Sequence, residues 1–330
     1  MSDSGYVHKA TDLSSAYFDT LIRNMTGLKK AKINCFQPGS GFAAIHTAAT
    51  ACSPAFLRRL IACGGDVHLL TTDGALIGSA PLHLAAAQCR ADLLRVLLYA
   101  GACTEARDAI GETALYNAIE ATVVGAKKDE IECLAVLLDA GADVNAENLY
   151  RCTPLNAAVI NQKEYLVRYL LTRGADPNAA DGAILAKSIA FANEALVLAL
   201  LEHPDTAVQG RHICAALAVG NRPIAALLIA AAAHAKLFLE AGSCCSTCGD
   251  LRAWVTAAEL ATASAKVSAA RQAFLEHRAA RTVPLPAPCA HCKSAASFTC
   301  SVCRTTFYCT LQCQKEDWHD HRRACTPLKQ

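Results

Sequence analysis

Two short elements alternate along the first part of the chain, and their repetition is the strongest constraint on its fold. The first element is a run of small and apolar residues, at Ala44–Ala49, Pro81–Ala86, Ala114–Ala118 and Pro154–Ala158. The second follows each run and begins with glycine, at Gly64–Val67, Gly101–Cys103, Gly141–Ala146 and Gly174–Ala179. A unit this short cannot bury an apolar face by itself, so the repeated units must stack in a row.

Each unit has the residue pattern of two helices. Pro81 and Pro154 favour the start of a first helix, because the first helical turn needs no backbone N–H donor. A second helix is indicated by leucines at helical spacing: Leu93, Leu94, Leu97 and Leu98; Leu134, Leu137 and Leu138; Leu166, Leu170 and Leu171. The glycine after each second helix is expected to end it in a left-handed conformation. The sequence therefore predicts a mostly α chain.

These motifs resemble the ankyrin repeat. The resemblance implies a solenoid of helix, helix and hairpin units, in which His46 and His83 make structural hydrogen bonds. We expect the repeats to occupy residues 37–242, with four clear units before Asp181. Beyond that residue the pattern weakens, and up to two shortened repeats are predicted, because the ends of repeat arrays are atypical. Leucine pairs mark them at Leu200–Leu201 and Leu227–Leu228.

The spacing between the two elements identifies two insertions. The step from the first element to its glycine is 18 residues in three units, but 25 residues from Tyr116 to Gly141. Seven residues are thus inserted near Thr122–Asp129, between the two helices of the third unit. Four more are added around Thr72–Ser79, in the first hairpin. Insertions in stacked repeats form loops on one face, which either bind partners or vary without function.

The segments on either side of the repeats differ from them. Within residues 1–36, apolar residues lie at helical spacing from Thr11 to Lys30, which predicts an N-terminal capping helix. Residues 243–288 contain a loop, an alanine-rich helical spacer that reaches Arg281, and a proline-rich linker. The loop holds three cysteines, Cys244, Cys245 and Cys248. We interpret it as a plain loop, because a structural zinc site needs four ligands.

Eight potential metal ligands lie at ordered spacings in residues 289–325. They form four short pairs: Cys289 and Cys292, Cys300 and Cys303, Cys309 and Cys313, His321 and Cys325. Thiols two or three residues apart suit a tetrahedral Zn2+ ion, so eight ligands imply two ions. The spacing alone does not decide whether the pairs fill the two sites in sequence or interleaved. A segment this small buries little apolar surface, so zinc binding would supply its folding free energy, on the order of 10 kcal/mol per ion.

The spacings resemble the MYND-type zinc finger position for position. The resemblance implies interleaved ligands, with Cys289, Cys292, Cys309 and Cys313 on zinc 1, and Cys300, Cys303, His321 and Cys325 on zinc 2. It also implies a groove for short proline-containing peptides, lined by Gln314, Asp317 and Trp318. Proline has already restricted the backbone of such peptides, which lowers the entropic cost of binding them. Trp318 fits an apolar core equally well, because aromatic side chains serve both packing and recognition.

Composition limits the compartment and the class of partner. We expect an intracellular protein, cytoplasmic or nuclear, because Met1–Asp12 has no secretory or transit pattern and the chain has 18 cysteines to keep reduced. The apolar run Ile224–Ala233 is too short to span a bilayer, which needs about 20 residues, and indicates a buried helix. A net charge of +2 does not indicate the strongly basic surface that nucleic-acid-binding domains usually display.

The combination resembles the ankyrin repeat and MYND domain-containing proteins. No catalytic motif is present: no phosphate-binding glycine loop, no Gly-x-Ser-x-Gly and no His-Glu-x2-His. We therefore expect a non-catalytic adaptor without a small-molecule substrate. Its ankyrin face would bind a protein at the hairpin tips, near His68, Asp108, Asn148 and Asp181. The alternative is a nuclear transcriptional co-regulator that recruits corepressors or contacts nucleic acid, which salt-dependent DNA binding would support.

Overall fold

The computed structural model describes residues 33–36, 41–73, 76–121, 127–179, 183–232, 255–281, 298–299 and 307–308. The predicted N-terminal helix, the 244–248 cysteines, the proline-rich linker, the eight metal ligands, Gln314 and Trp318 lie outside these residues. The chain divides into two compact units, Met1–Tyr150 together with Leu285–Gln330, and Arg151–Pro284.

The first unit contains three helix pairs in its described residues: α1 (Ala44–Ala51) and α2 (Pro54–Ala62), α3 (Pro81–Ala87) and α4 (Ala91–Tyr99), and α5 (Ala114–Glu120) and α6 (Lys127–Asp139). Pro81 lies in the first turn of α3, as predicted. At the start of α2, Ser53 Oγ accepts a hydrogen bond from the Phe56 backbone N–H. The predicted left-handed glycines are confirmed at Gly64, Gly101 and Gly141.

The core of the first unit lies between neighbouring pairs. Helix α3 packs between α1 and α5, and α4 packs between α2 and α6. Leucines of the second helices are fully buried in these interfaces, and each contributes about 1.5–3 kcal/mol relative to an exposed side chain. They include Leu57, Leu60, Leu93, Leu94, Leu97, Leu134 and Leu137.

The insertion in the third pair is partly helical. Helix α6 has 13 residues, whereas α2 and α4 have nine each. Its first residue is Lys127, so the predicted loop at Thr122–Asp129 is wrong for its last three residues. Asp129 and Glu130 lie in the first turn of α6, where the helix dipole favours negative charge. Lys127 and Lys128 in the same turn oppose this effect.

Backbone hydrogen bonds join each hairpin to the next one. The Thr72 N–H donates to Gly41 O at 3.1 Å, the Ala109 N–H to Ile77 O at 3.4 Å, and the Leu149 N–H to Ile110 O at 3.1 Å. Within the first hairpin, the Gly78 N–H donates to Thr71 O at 2.9 Å. The hairpins of the first unit therefore form a connected edge.

Glycine is required where neighbouring hairpins meet. Gly41, Gly78 and Gly111 have φ of 64°, 77° and 78°. A Cβ atom at Gly78 would lie 2.8 Å from the Ala109 backbone nitrogen, and one at Gly111 would lie 3.0 Å from that of Leu149. The backbones approach so closely that only glycine fits without a shift.

The second unit contains three further helix pairs and one long helix in its described residues: α7 (Pro154–Ile160) and α8 (Glu164–Thr172), α9 (Ala183–Ala190) and α10 (Glu194–Leu201), α11 (Gly210–Val219) and α12 (Arg222–Ala231), and α13 (Ala257–Arg281). Helix α9 packs between α7 and α11, and α10 packs between α8 and α12. Helix α12 covers most of the apolar run Ile224–Ala233 and buries Ile224 and Leu228, as predicted.

Helix α13 packs along the second helices of this unit. It contacts α12 and α10, and more narrowly α8. Phe274 stacks edge-on against His203 with ring centroids 5.1 Å apart, and Arg271 Nε donates to Leu201 O at 3.0 Å. The helix thereby covers the apolar α10 and α12 surfaces.

Two short strands lie in the C-terminal segment. β1 (Phe298–Thr299) and β2 (Phe307–Tyr308) are antiparallel, with Phe298 opposite Tyr308 and Thr299 opposite Phe307. They form a β-hairpin whose connection contains residues 300–306.

The glycine contacts predict a difference between two alanine substitutions. Gly101 has φ of 90° but open space around its Cβ position, so Gly101→Ala should cost about 1 kcal/mol of unfolding free energy from backbone strain alone. Gly111→Ala has a similar strain and also brings the new Cβ within 3.0 Å of Leu149, so it should lower the free energy of unfolding by about 1 kcal/mol more than Gly101→Ala. Urea titration of both variants measures the difference. Equal costs would show that the two hairpins are not in close contact.

Candidate functional site

A histidine near the start of the first helix ties each of the first two helix pairs to its hairpin. The His46 Nδ1 accepts a hydrogen bond from the Ala43 N–H at 2.9 Å, and its Nε2 lies 2.8 Å from Leu69 O. The His83 Nδ1 accepts from the Ala80 N–H at 3.0 Å, and its Nε2 lies 2.9 Å from Ala106 O and 3.1 Å from Glu112 O. Since Nδ1 accepts in both residues, Nε2 carries the proton and donates.

Burial lowers the pKa of both histidines from the ordinary value of 6.5, against the raising effect of their carbonyl partners. The neutral ring is the form that can accept at Nδ1 while it donates at Nε2. These histidines are therefore structural, as the resemblance implied.

His212 occupies the same position in α11, and the sequence analysis missed it. Its Nδ1 accepts from the Gln209 N–H at 3.2 Å. Its Nε2 is buried and has no hydrogen-bond partner among the residues that the structure describes. The residue was missed because α11 has ten residues and ends at the left-handed Gly220, which shifts the usual spacing to the second helix.

A buried carboxyl group supports the third hairpin. The Glu112 Oε2 accepts from Asn117 Nδ2 at 3.0 Å, and Oε1 accepts from Asn148 Nδ2 at 3.4 Å. Asn148 in turn accepts from the Tyr150 N–H at 2.9 Å. Burial, followed by the charges of Glu120 and Asp108, raises the pKa of Glu112 to about 7, and the two asparagine bonds oppose this shift.

Four exposed apolar side chains lie at the tips of the first-unit hairpins, and we call them the tip row: Ile77, Ile110, Leu149 and Tyr150. Leu149 and Tyr150 each expose 73% of their surface, the largest fractions among the exposed large apolar residues of the described chain. The bonds from Ala109 to Ile77 O and from Leu149 to Ile110 O make the tips neighbours. Backbone hydrogen bonds therefore fix the three hairpins that carry the row next to one another.

The hairpin segments that carry the tip row also contain six carboxylates besides Glu112, and we call them the acidic rim: Asp66, Asp73, Glu105, Asp108, Asp143 and Glu147. Each has at least partial solvent exposure. The same hairpin segments, residues 64–80, 101–113 and 141–150, contain one arginine, Arg107, and no lysine. Arg107 donates to the carbonyls of Gly111 and Glu147 and so joins two hairpins.

The predicted hairpin-tip residues have different environments. His68 is exposed and Asp108 is half-buried, while Asp181 lies outside the described residues. Asn148 itself is buried, so the exposed surface near it belongs to its neighbours. Its amide is used by Glu112 and Tyr150, and the two residues that follow it carry the exposed surface. The sequence contained this signal, because adjacent leucine and tyrosine at a turn are unusual for a solvated loop.

The metal ligands can be judged by their donor chemistry and their order in the chain. Seven thiols and one imidazole are the ligand types of structural zinc sites, so the donor set fits the ion. Cys300 directly follows β1 and Cys309 directly follows β2 in the sequence. Among the residues described elsewhere in the chain, no group of three or more potential ligands could hold a metal. In the same residues, none of the helices combines the length and the apolar content needed to cross a bilayer.

Comparison with known proteins assigns the chain to a class. The family model for ankyrin repeats (three copies) matches residues 45–148 and 111–181, and the MYND finger model matches residues 289–325. The protein is therefore an ankyrin-repeat protein, and its fold is an ankyrin-repeat solenoid. By its second match it is an ankyrin-repeat protein with a MYND-type zinc finger, as the sequence motifs predicted. Ankyrin repeats and MYND fingers are protein-interaction modules that are typically non-catalytic, and the MYND finger is a zinc-binding domain.

Similar proteins share parts of the chain. The E3 ubiquitin-protein ligase KEG of Arabidopsis thaliana is 33% identical over 130 residues, which are 37% of this chain and 8% of that protein. Deformed epidermal autoregulatory factor 1 of Drosophila melanogaster is 47% identical over 38 residues, which are 12% of this chain and 7% of that protein. The matched segments thus span less than a tenth of the length of these relatives.

A solved structure resembles the repeats. The crystal structure of the ankyrin repeat domain of Bcl-3, titled a unique member of the IkappaB protein family, is matched with a TM-score of 0.51 and 27% sequence identity. The match covers 58% of this chain and 87% of that one. The likeness supports the repeat fold.

The raised pKa of Glu112 predicts a pH-dependent stability. As the pH rises above 4.5, the unfolded carboxyl ionises first, so the folded state loses stability until the pH passes about 7. Glu112→Gln removes this effect. At about pH 8 the free energy of unfolding of the variant should exceed that of wild type by on the order of 2 kcal/mol. This difference should vanish below about pH 4.5. Denaturant titration across this range measures it.

Glu147→Gln is the matched control, because Glu147 lies on the neighbouring hairpin and its side chain is exposed. This control should follow the wild-type profile. A Glu112→Gln profile parallel to that of wild type at all pH values would contradict the assignment of a buried neutral carboxyl group.

Proposed function

We propose that the protein is a non-catalytic intracellular adaptor with two recognition surfaces. The ankyrin hairpins bind a protein partner, and the finger binds short proline-containing peptides. The observation that carries the proposal is the tip row. Leu149 and Tyr150 are exposed there, while the Leu149 N–H donates to Ile110 O of the preceding hairpin and the Tyr150 N–H donates to the Asn148 side chain.

The tip row has the physical properties of a binding surface. Its aliphatic and tyrosine side chains are the kinds that form the centre of protein interfaces. Because the inter-hairpin bonds already order the backbone, binding loses little conformational entropy. Because these side chains remain in water in the free protein, they contribute little to folding stability, and a binding role explains their exposure better.

The finger is proposed to hold two zinc ions with interleaved ligands. Zinc acts structurally here, by cross-linking segments that cannot form a core of their own. In an antiparallel hairpin, the segment before β1 and the segment after β2 meet at the open end. Cys289 and Cys292 precede β1, and Cys309 and Cys313 follow β2. The strand order thus supports placing these four cysteines on one ion, and Cys300, Cys303, His321 and Cys325 on the other.

The peptide site is proposed at Gln314 and Trp318. An indole ring offers a flat apolar face for a proline ring, and a glutamine amide can both donate to and accept from an extended backbone. The resemblance to the finger family supports these two positions.

The alternative of a nucleic-acid-binding co-regulator is disfavoured at the hairpins. The acidic rim would face the phosphate backbone, and nucleic-acid-binding surfaces are basic. Salt-dependent DNA binding by the purified protein would instead support the nucleic-acid-binding alternative.

Metal analysis of two variants tests the ligand assignment. Wild type should bind two zinc ions, and Cys303→Ser and Cys309→Ser should each retain one. With Co2+ as the probe, interleaving predicts that Cys303→Ser retains an all-thiolate site and Cys309→Ser retains the site with three thiolates and His321. The absorption bands of cobalt distinguish these two donor sets. Sequential filling predicts the opposite: Cys303→Ser would retain the site with His321, and Cys309→Ser would retain the all-thiolate site. As a control, Cys244→Ser should retain both ions under either arrangement.

Peptide binding tests the role of Trp318. Against a panel of short proline-containing peptides, Trp318→Ala should weaken binding about tenfold or more while the zinc content stays at the wild-type value. Trp254→Ala, which changes the other tryptophan of the chain, should leave binding unchanged. Loss of zinc from Trp318→Ala would instead assign the ring to the core of the finger.

A further inference from the structure

We propose that the tip row and the acidic rim together bind an extended segment of a protein partner in which lysine or arginine residues alternate with apolar residues. This inference rests on the proposed adaptor function and names the partner class of its ankyrin surface. It depends on two observations: the exposed apolar side chains of the tip row, and the carboxylates on the same hairpin segments.

The apolar half of the surface is defined by backbone geometry. Ile77 and Ile110 provide the carbonyls that accept from Ala109 and Leu149, so each exposed side chain lies beside the next hairpin. The Asn148 amide holds the Tyr150 N–H at 2.9 Å. Neighbouring repeats are about 10 Å apart, as packed helices are. Three tips therefore span about 20 Å, the length of about six extended residues.

The charged half has one sign. The acidic rim contributes six carboxylates, and Arg107 is the basic residue on the same segments. Three of the carboxylates accept hydrogen bonds from backbone N–H groups of their own turns. Asp66 accepts from His68 and Asp143 from Asn145. Asp108 accepts from both Ile110 and Glu112. These bonds orient the carboxylates and leave their charge in place. Within the described residues, Asp66, Glu105, Asp108, Asp143 and Glu147 form no ion pair with a lysine or arginine.

The two halves select the occupant. Apolar tips need apolar partner side chains, and a surface rich in exposed carboxylates attracts cations and repels anions. An acidic or phosphorylated segment would bring like charges together. Because the tips are arranged in a line, an extended segment can contact all three hairpins, whereas a compact contact would cover one.

The test is a selection of random displayed peptides of about twelve residues against the full-length, zinc-loaded protein. The selected peptides should be rich in lysine or arginine and in apolar residues. Their affinity should fall with rising ionic strength, because the rim carboxylates are exposed to screening. The double variant Leu149→Ser, Tyr150→Ser should bind about tenfold more weakly or worse. Glu147→Lys should weaken binding about threefold, as expected for one exposed charge.

A control uses two exposed apolar residues of the second unit. Ile160→Ser with Phe191→Ser should bind the selected peptides as wild type does, since these residues are 43% and 41% exposed but lie outside the tip row. Circular dichroism and thermal unfolding of each variant establish that the fold is retained. The Leu149 and Tyr150 side chains are mostly exposed, so the double variant should lose little stability. Ile160 and Phe191 bury more than half of their surface, so the control variant should lose more stability than the double variant and still bind.

The possible outcomes separate the two proposals. Selected peptides that are neutral or acidic, but lose binding in the Leu149 and Tyr150 double variant, overturn the partner chemistry and leave the adaptor surface standing. Peptides that bind this variant as tightly as wild type, or a selection that recovers no peptide sensitive to it, overturn the tip row itself. The finger and its peptide site are unaffected by either result.

Discussion

The hydrogen bond from one hairpin to the next is the interaction on which the rest of the first unit depends. It sets the distance at which Ala109 meets Ile77 and Leu149 meets Ile110, and it makes glycine necessary at Gly78 and Gly111. His46 and His83 connect each hairpin to a helix through a neutral ring. Buried leucines supply most of the stabilising free energy, but they do not determine where the tips lie. The hairpin bonds do.

This arrangement explains how a repeat protein exposes apolar residues without disorder. An exposed leucine and tyrosine on a free loop would sample many conformations, and binding would have to order them. Here Asn148 holds the Tyr150 backbone, and Asn148 is itself held by the buried Glu112. Core and surface are thus linked by a short polar chain, and the proposed partner would meet a surface that is already formed.

Much of the helical fold could be predicted, because prolines, leucine spacing and terminal glycines are local signals. Three features could not. The extension of α6 to Lys127 has no capping or spacing signal in the sequence. The role of His212 was hidden by a longer α11. The burial of Asn148 depends on a carboxyl group 36 residues away, and no local pattern contains that contact. For the finger, ligand types and spacing were informative before any geometry, since zinc chemistry restricts both.

Native-state hydrogen exchange of the Ala109 and Leu149 amides tests the central claim most directly. Both donate to the preceding hairpin, although they lie in turns next to exposed residues. The account predicts that they exchange slowly, with protection close to that of helix amides in α3 and α4, because they open only when neighbouring hairpins separate. Exchange at the rate of an unstructured loop would contradict it, and the tip row would then be a set of independent, flexible tips.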